Sequence, residues 1–373
     1  MISTPLRTLR RFFARETVLC LALTAAAISS CFVPPSTAYL EYIDWKVLTS
    51  LFCLMTVVQG LRVSGAFDIL ASSVLRFAGN TRMIAAILVT TTFIASMGIT
   101  NDVALITFVP FGLLLMKDCV SWRVKAHIVT LQTIAANVGS ALTPVGNPQN
   151  LYLFSYYSFS PRDFFVGIYP VVIAGGALLA VSLLRIKPQT LIAKHSGPNY
   201  TLKPLSFATF IALFAISVLA VFRILDYRAV TAIVVLTVLI LDRGLVLRVD
   251  YSLLVTFLGF FVFIGNIQRI PAVHALLTGI TGINPMLVAA LASQAISNVP
   301  AAILLSRFTD DAVGILRGVS LGGMGTIIAS LASVISFKFF AHEHRDKTLA
   351  FMGVFTKWNL IFFAVLFYIA TLV

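Results

Sequence analysis

Charged residues are scarce in this sequence. Only 11% of its 373 residues are Asp, Glu, Lys or Arg, whereas a soluble domain carries about 25%. Hydrophobic residues make up 59% of the chain, and the mean hydropathy is +0.98. Because so few charges cannot cover the surface of a water-soluble protein, much of the outer surface must face lipid. The sequence therefore predicts an integral membrane protein.

Acidic residues are the scarcest charged class, with 14 Asp and Glu against 27 Lys and Arg. The net charge of +13 does not indicate nucleic-acid binding, because the basic residues lie in short loops between apolar runs and form no continuous stripe. Such loops follow the positive-inside pattern that orients a multi-pass protein in a membrane. We therefore predict a bacterial-type inner-membrane protein whose surroundings are a lipid bilayer, with no nucleic-acid partner.

The signatures of membrane metalloproteases and of nucleotide-driven pumps are also missing. The sequence contains no HExxH metal motif and no phosphate-binding P-loop. The four cysteines, Cys20, Cys31, Cys53 and Cys119, have no CxxC spacing and lie in or near apolar runs, so we interpret them as packing residues. These absences favour a transporter over an enzyme, with no cofactor other than a coupling ion.

Apolar runs of about twenty residues, each long enough to cross a bilayer, recur along the chain. Four arginines within residues 7–15 predict a cytoplasmic N-terminus, and residues 1–44 hold the first transmembrane helix. The alternative for this segment is a signal peptide that is cleaved. A polar cytoplasmic linker, 186–204, divides a first repeat at 45–185 from a second at 205–373. Counting the crossings from the N-terminus places the C-terminus outside.

Each repeat contains two apolar stretches that are interrupted in the middle. The first has a re-entrant hairpin at about 83–116 and a broken helix at about 126–158. The second has a hairpin at about 286–307 and a broken helix at about 312–341, running in the opposite direction. The predicted fold is an all-α polytopic membrane protein with two inverted-topology repeats. Such paired interruptions are the best sequence-level indication of a secondary transporter's binding site.

Asp102 stands at the interruption of the first hairpin. An acid near the centre of a bilayer costs about 2.5–3.5 kcal/mol, so acids at this depth usually have a function. We interpret Asp102 as a cation ligand or proton acceptor; the alternative is a cap for the second hairpin arm. Asn137 is predicted to form an interhelical hydrogen bond, and Lys338 to extend to the lipid headgroups.

Three segments resemble the ion transporter superfamily, which includes citrate transporters, arsenite permeases, Na⁺/H⁺ antiporters and divalent-anion/Na⁺ symporters. They are TNDVAL at 100–105, LTPVGNPQN at 142–150 and SNVP at 297–300. The resemblance covers about residues 45–373 and implies that the hairpin tips and the loops of the broken helices hold Na⁺ and substrate. The residues that it implies are Thr100, Asn101, Thr143, Gly146, Asn147 and Asn150 at the first site, and Ser297, Asn298, Thr326, Ser330 and Ser333 at the second.

The resemblance also implies Na⁺ at the tips, beside Asn101, Asp102 and Asn298, and a homodimer. The carboxylate symporters of the superfamily carry Ser-Asn-Thr at each tip, whereas this sequence has Asp102 and Val299 at the third positions. The Asn-Asp pair is more similar to the arsenite permeases and antiporters, so the substrate stays open.

Two functions follow from these observations. The first is secondary active transport of a small anion, a carboxylate such as citrate or an oxyanion such as arsenite, coupled to Na⁺ or H⁺ and working by alternating access. The alternative is a Na⁺/H⁺ antiporter of the same fold.

Overall fold

The computed structural model describes residues 16–67, 69–70, 79–116, 120–189 and 202–373. Every regular element in these ranges is helical. Within them, seven helices are long and apolar enough to cross a membrane, or eight if one pair bent by 115° forms a single span. The prediction of an all-helical, multi-pass membrane protein is confirmed. The N-terminal arginines and most of the predicted linker lie outside the described residues.

The distribution of polar and apolar side chains is that of a protein in lipid. Large aliphatic residues are exposed on the outside, including Ile173, Leu205 and Ile240 at 65%, 79% and 82% of their full area. Polar side chains such as Asn101 and Asn150 are buried. Lipid provides no hydrogen-bond partners, so polar groups in a membrane protein gather where other protein groups can satisfy them.

The described part of the first half of the chain contains eight helices. In chain order the helices are α1 (Thr17–Phe32), α2 (Tyr39–Tyr42), α3 (Trp45–Val63), α4 (Thr81–Ile99), α5 (Asn101–Leu115), α6 (Trp122–Ser140), α7 (Pro148–Tyr156) and α8 (Pro161–Leu184). Thr100 alone separates α4 from α5, and a loop at 141–147 separates α6 from α7.

Two helices lead into the second half, which repeats this order. They are α9 (Pro204–Val221) and α10 (Tyr227–Asp242). The helices that follow are α11 (Tyr251–Gln268), α12 (Pro271–Ile283), α13 (Pro285–Ile296), α14 (Asn298–Leu305), α15 (Ala312–Gly322), α16 (Leu331–Glu343) and α17 (Thr348–Leu372). Ser297 separates α13 from α14, and a loop at 323–330 separates α15 from α16.

The helices of the two halves pack in the same way and interlock. Both arms of the first hairpin, α4 and α5, pack against α6, just as α13 and α14 pack against α15. The second arm of each hairpin also packs on the far segment of the other broken helix, α5 on α16 and α14 on α7. This exchange brings the two hairpin tips and the two helix breaks together. The opposite orientation of the halves and the positions of the termini stay predictions from charge.

The helices that begin the two halves start with the same cap. Asp44 accepts a hydrogen bond from the backbone N–H of Val47 at 3.0 Å and opens α3. Asp250 accepts one from Leu253 at 3.1 Å and opens α11. A carboxylate at this position satisfies a free N–H and complements the helix dipole. Elsewhere, α1 packs along α11, and α9 and α10 pack along α3.

Candidate functional site

Both hairpins turn at one residue with the same unusual backbone conformation. Thr100 has φ 71° and ψ 150°, and Ser297 has φ 72° and ψ 156°. This region is almost restricted to glycine and costs about 1–3 kcal/mol for other residues. Two non-glycine residues that hold it at equivalent places show that the surrounding contacts impose the turn. Strain of this kind concentrates at functional sites.

The first tip is held against the loop of the first broken helix. The backbone N–H of Asn101 donates to the carbonyl of Gly146 at 3.0 Å. Asn147 caps α7 by accepting from the N–H of Asn150 at 2.8 Å. The Asn150 amide then donates at 3.1–3.2 Å to three loop carbonyls, those of Ser140, Ala141 and Thr143. These amides satisfy the backbone groups that the helix break sets free.

The second tip has related contacts. The hydroxyl of Ser297 lies 3.4 Å from the carbonyl of Ala329 and 3.4 Å from the side-chain oxygen of Asn298. The Asn298 amide packs closely over Gly323, where an added Cβ would lie 3.0 Å from its nitrogen. Ser330 caps α16, as Asn147 caps α7. The side chain of Ser297 does not cap α14.

Equivalent threonines fasten each loop to its hairpin. The Thr143 hydroxyl donates to the carbonyl of Met97, and the Thr326 hydroxyl donates to the carbonyl of Gln294 at 3.3 Å. Gln294 also donates to the carbonyls of the second loop, Gly322 at 2.7 Å and Met324 at 2.9 Å. Thr326 is exposed, so in this structure it positions the loop and does not line the space around Ser297.

Asn137 connects the two sites. On α6, its side-chain oxygen accepts from the amide of Asn101 at 3.3 Å and from the hydroxyl of Ser330 at 3.2 Å. Its nitrogen donates to the carbonyl of Gly323 at 3.2 Å. The predicted interhelical hydrogen bond is confirmed, and it links the first hairpin tip to the second broken helix.

Three buried side-chain oxygens near the tips have no hydrogen-bond partner among the described residues: Asp102 Oδ1, Asn150 Oδ1 and Ser333 Oγ. Asn150 and Ser333 occupy equivalent places, each three positions after the cap of its helix. Buried oxygens without donors are rare in native proteins, because each loses its contacts with water. Unused acceptors at both breaks are suited to a cation or to a donor on a solute.

A cavity of about 120 Å³ lies beside the first tip. Thr100, Asp102 and Asn147 line it, together with Gln59 from α3 and Asp250 from the start of α11. Its walls thus carry two carboxylates and no lysine or arginine among the described residues. Oxygen ligands of this kind suit a hard cation or a proton.

A second cavity, of about 320 Å³, lies beside the second tip. Ser297 and Val299 line it on one side, and Lys338 of α16 lies on another. Asp250 and Leu253 line both cavities. Lys338 is exposed and lies beside this cavity, and its extension to the headgroups stays a prediction.

The structure thus brings together Thr100, Asn101, Gly146, Asn147 and Asn150 at one break, and Ser297, Asn298 and Ser330 at the other. Ser333 is buried one turn beyond Ser330. Gln59, Asp250 and Gln294 belong to the same region but were not singled out from the sequence. Gln59 and Gln294 lie inside apolar helices. A single glutamine in an apolar helix was the indication in the sequence that either residue belongs to the site.

A GxSxG pattern, found in serine hydrolases, occurs at 318–322 but does not indicate an enzyme here. The nucleophile of that motif sits on a sharp strand-to-helix turn. Here the segment is the buried last turn of α15, and Ser320 has no hydrogen-bond partner among the described residues.

The model of the CitMHS citrate transporter family matches residues 9–314. The chain belongs to this family. The match includes both hairpin tips and the first broken helix, so the residues of the first site lie inside it.

Three relatives in sequence are named either as transporters or as an inner membrane protein. The uncharacterized transporter MJ0456 of Methanocaldococcus jannaschii is 32% identical over 79% of this chain and 81% of its own length. The inner membrane protein YbiR of Escherichia coli K12 is 30% identical over 81% of this chain and 82% of its own. The silicon efflux transporter LSI3 of rice is 33% identical over a shorter region, 38% of this chain and 29% of its own.

Proposed function

We propose that this CitMHS-family transporter moves a small anion across the inner membrane by alternating access, coupled to Na⁺ or H⁺. The observation that carries the proposal is Asp102. One of its carboxylate oxygens is buried and has no donor among the described residues, and it lies beside a cavity that a second carboxylate also lines. A carboxylate that only stabilised the fold would be expected to have its oxygens paired.

The two tips differ in a way that supports separate cation and anion sites. At the first tip the N–H of Asn101 is engaged by Gly146, and the N–H of Asp102 by the Asn101 side chain at 2.9 Å. Neither α5 nor α14 has a side-chain cap at its tip residue, Thr100 or Ser297. At the second tip, however, the described residues give the Asn298 N–H no bond to the facing loop, and Val299 replaces the acid. Uncapped helix N-termini attract anions. We assign the coupling cation to Asp102 and the anion to the region of Ser297 and Asn298.

The substrate class is a small carboxylate such as citrate or an oxyanion such as arsenite. The family description supports the carboxylate, and the size of the second cavity is in the range of small-molecule sites. The second candidate function is Na⁺/H⁺ exchange without an anion. The acid at only one of the two equivalent tips favours that alternative, since it provides one cation site and no paired anion site.

Flux measurements in proteoliposomes test the proposal. A Na⁺ or pH gradient should drive accumulation of labelled citrate or arsenite in vesicles that hold the unchanged protein. Asp102→Asn should lower this accumulation at least about tenfold, since a neutral ligand loses more than about 1.4 kcal/mol of interaction with a cation. Exposed Asp163, which only caps the start of α8 with Ser160, provides the matched control, and Asp163→Asn should leave the flux unchanged.

Two results would count against this assignment. Gradient-driven flux that is unaffected in Asp102→Asn would remove Asp102 from the coupling site. Exchange of Na⁺ for H⁺ in the unchanged protein, without dependence on any tested anion, would select the antiporter.

A further inference from the structure

The two halves form equivalent clefts, one between α3 and α7 and one between α11 and α16. In the first cleft, Lys46, Val47 and Ser50 of α3 face Leu151 and Ser155 of α7. In the second, Ser252, Leu253 and Thr256 of α11 face Val334 and Lys338 of α16. These residues follow the equivalent caps, Asp44 and Asp250 or Asn147 and Ser330, at the same distances along the chain.

The first cleft is closed at the end that carries Lys46 and Ser155. Its space there is about 10 Å³, which is too small for a solute and about the size of one water molecule; the cavity of about 120 Å³ beside Thr100 lies farther along α3. α3 packs directly on α7. The hydroxyl of Ser155 donates to the second carboxylate oxygen of Asp44 at 3.3 Å, while the first oxygen caps α3. A hydrogen bond between the helix cap and the facing helix therefore joins the two walls.

The second cleft is open. Its cavity of about 320 Å³ reaches from Asp250 and Lys338 to the second hairpin tip at Ser297. Asp250 caps α11 with one oxygen, as Asp44 caps α3. Lys338 occupies the place of Ser155, eight residues after the cap of its helix. Among the described residues, however, no ion pair joins Lys338 to Asp250, because the cavity separates the walls that carry them.

We propose that Asp250 and Lys338 are positioning residues that form an ion pair when the second cleft closes in the other half of the transport cycle. This proposal rests on the alternating access proposed above. When two equivalent halves exchange conformations, the closed contact of one predicts the closed contact of the other. The Ser155–Asp44 hydrogen bond thus specifies which two side chains meet across the second cleft.

The difference in chemistry between the two contacts has a consequence. A neutral hydroxyl closes the first cleft, whereas a lysine and a carboxylate would close the second. Partly exposed ion pairs are worth up to about 1 kcal/mol, a factor of about five in an equilibrium. Closure of the second cleft should therefore respond to charge reversal and to ionic strength, and closure of the first should not.

Crosslinking tests the contact directly. In a protein whose four cysteines are replaced by serine, one variant carries Asp44→Cys with Ser155→Cys, and another carries Asp250→Cys with Lys338→Cys. Copper phenanthroline or a two-carbon bis-methanethiosulfonate reagent is applied in proteoliposomes. Both pairs should crosslink, and each crosslink should stop labelled-anion counterflow until it is reduced. A third variant, Asp250→Cys with Lys357→Cys on α17, is the control pair and should not crosslink.

Charge exchange provides a second readout. Lys338→Glu should lower counterflow about fivefold or more, and the double variant Asp250→Lys with Lys338→Glu should recover most of the loss. The matched control Lys357→Glu reverses an exposed charge elsewhere and should leave the rate unchanged.

The outcomes separate this proposal from the proposed function. If the unchanged protein transports an anion but the second pair never crosslinks while the first does, the ion pair is refuted and the transport proposal stands. If both pairs crosslink but no anion or ion gradient produces flux, the contact stands and the transport proposal fails. Recovery in the charge-exchange variant, which also removes the cap of α11, would support the ion pair.

Discussion

Replacement of Asn137 by leucine should destabilise the protein more than any other single change of similar size on α6. The side chain takes part in three interhelical hydrogen bonds, with Asn101, Gly323 and Ser330, at 3.2–3.3 Å. Such bonds average about 0.6 kcal/mol in membrane proteins and reach about 1.7 kcal/mol. Three average bonds contribute about 2 kcal/mol. Leucine has a similar volume, so little of the effect would come from a cavity.

The loss should exceed that sum, because the change leaves polar groups buried without partners. The Asn101 amide and the Gly323 carbonyl would be shielded from water, since Asn101 and Asn137 are both about 4% exposed. An unsatisfied buried group costs about 1–3 kcal/mol. We therefore expect Asn137→Leu to lower the free energy of unfolding by about 2–4 kcal/mol.

Reversible unfolding in mixed detergent micelles, followed by circular dichroism, measures this difference. Thr133→Val is the matched control, because Thr133 is a buried polar residue on the same helix. In the described part of the chain, its hydroxyl bonds only to the Val129 carbonyl of its own helix. It should cost less than about 1 kcal/mol. If the two variants have the same free energy of unfolding, Asn137 does not hold the two sites together and the reasoning is wrong.

Two further predictions concern the backbone at the breaks. Thr100→Gly and Ser297→Gly should each be more stable than the corresponding alanine variants by about 1 kcal/mol in the same unfolding measurement. The reason is that glycine adopts the positive φ at these positions without the strain that alanine retains. A glycine variant less stable than its alanine counterpart would contradict the strain. Gly146→Ala should greatly reduce both the yield of folded protein and its anion flux, since a Cβ would collide with the backbone carbonyl of Ser140. Gly279→Ala, at a position with open space, is the control and should have no effect. A normal yield and flux for Gly146→Ala would contradict the close approach.

The membrane class and the places of the helix breaks could be predicted because they depend on local sequence. Scarce charge and long apolar runs require lipid. Proline, glycine and asparagine clustered at 143–148 interrupt any helix, and the structure has a loop at 141–147. At the first hairpin the interruption narrows to Thr100 alone, because Asn101 and Asp102 already have helical geometry and open α5.

Side chains that reach the site from other helices could not be predicted. Asp250 has the local features of a helix cap and performs that role, so its position beside Asp102 emerges only when α11 packs near the first tip. Gln294 lies inside α13 with nothing nearby in sequence to distinguish it. Its three contacts with the loop at 322–326 depend on the packing of α13 against α15.

Lys338 shows the limit of arguments from depth alone. Near the end of an apolar helix, a lysine ordinarily extends to the headgroups. That inference does not reveal that Lys338 also lies beside the cavity between α16 and α11. The width of this gap is set by the relative position of the halves, which no local pattern records.

The equivalence of the halves makes their few chemical differences informative. Thr100 and Ser297 have nearly the same φ and ψ, and Thr143 and Thr326 bond to equivalent carbonyls, so the backbone of the two breaks is almost the same. Two identical sites would bind the same solute and could not couple one to another, since coupling requires ligands with different preferences. The acid is present at Asp102 and replaced by Val299, and Ser155 is replaced by Lys338. We infer that coupling arises from these differences within a shared backbone. Exchanging the third tip residues, Asp102→Val with Val299→Asp, should move the cation dependence of flux to the second tip or abolish it. Flux with unchanged cation dependence would show that the coupling lies elsewhere.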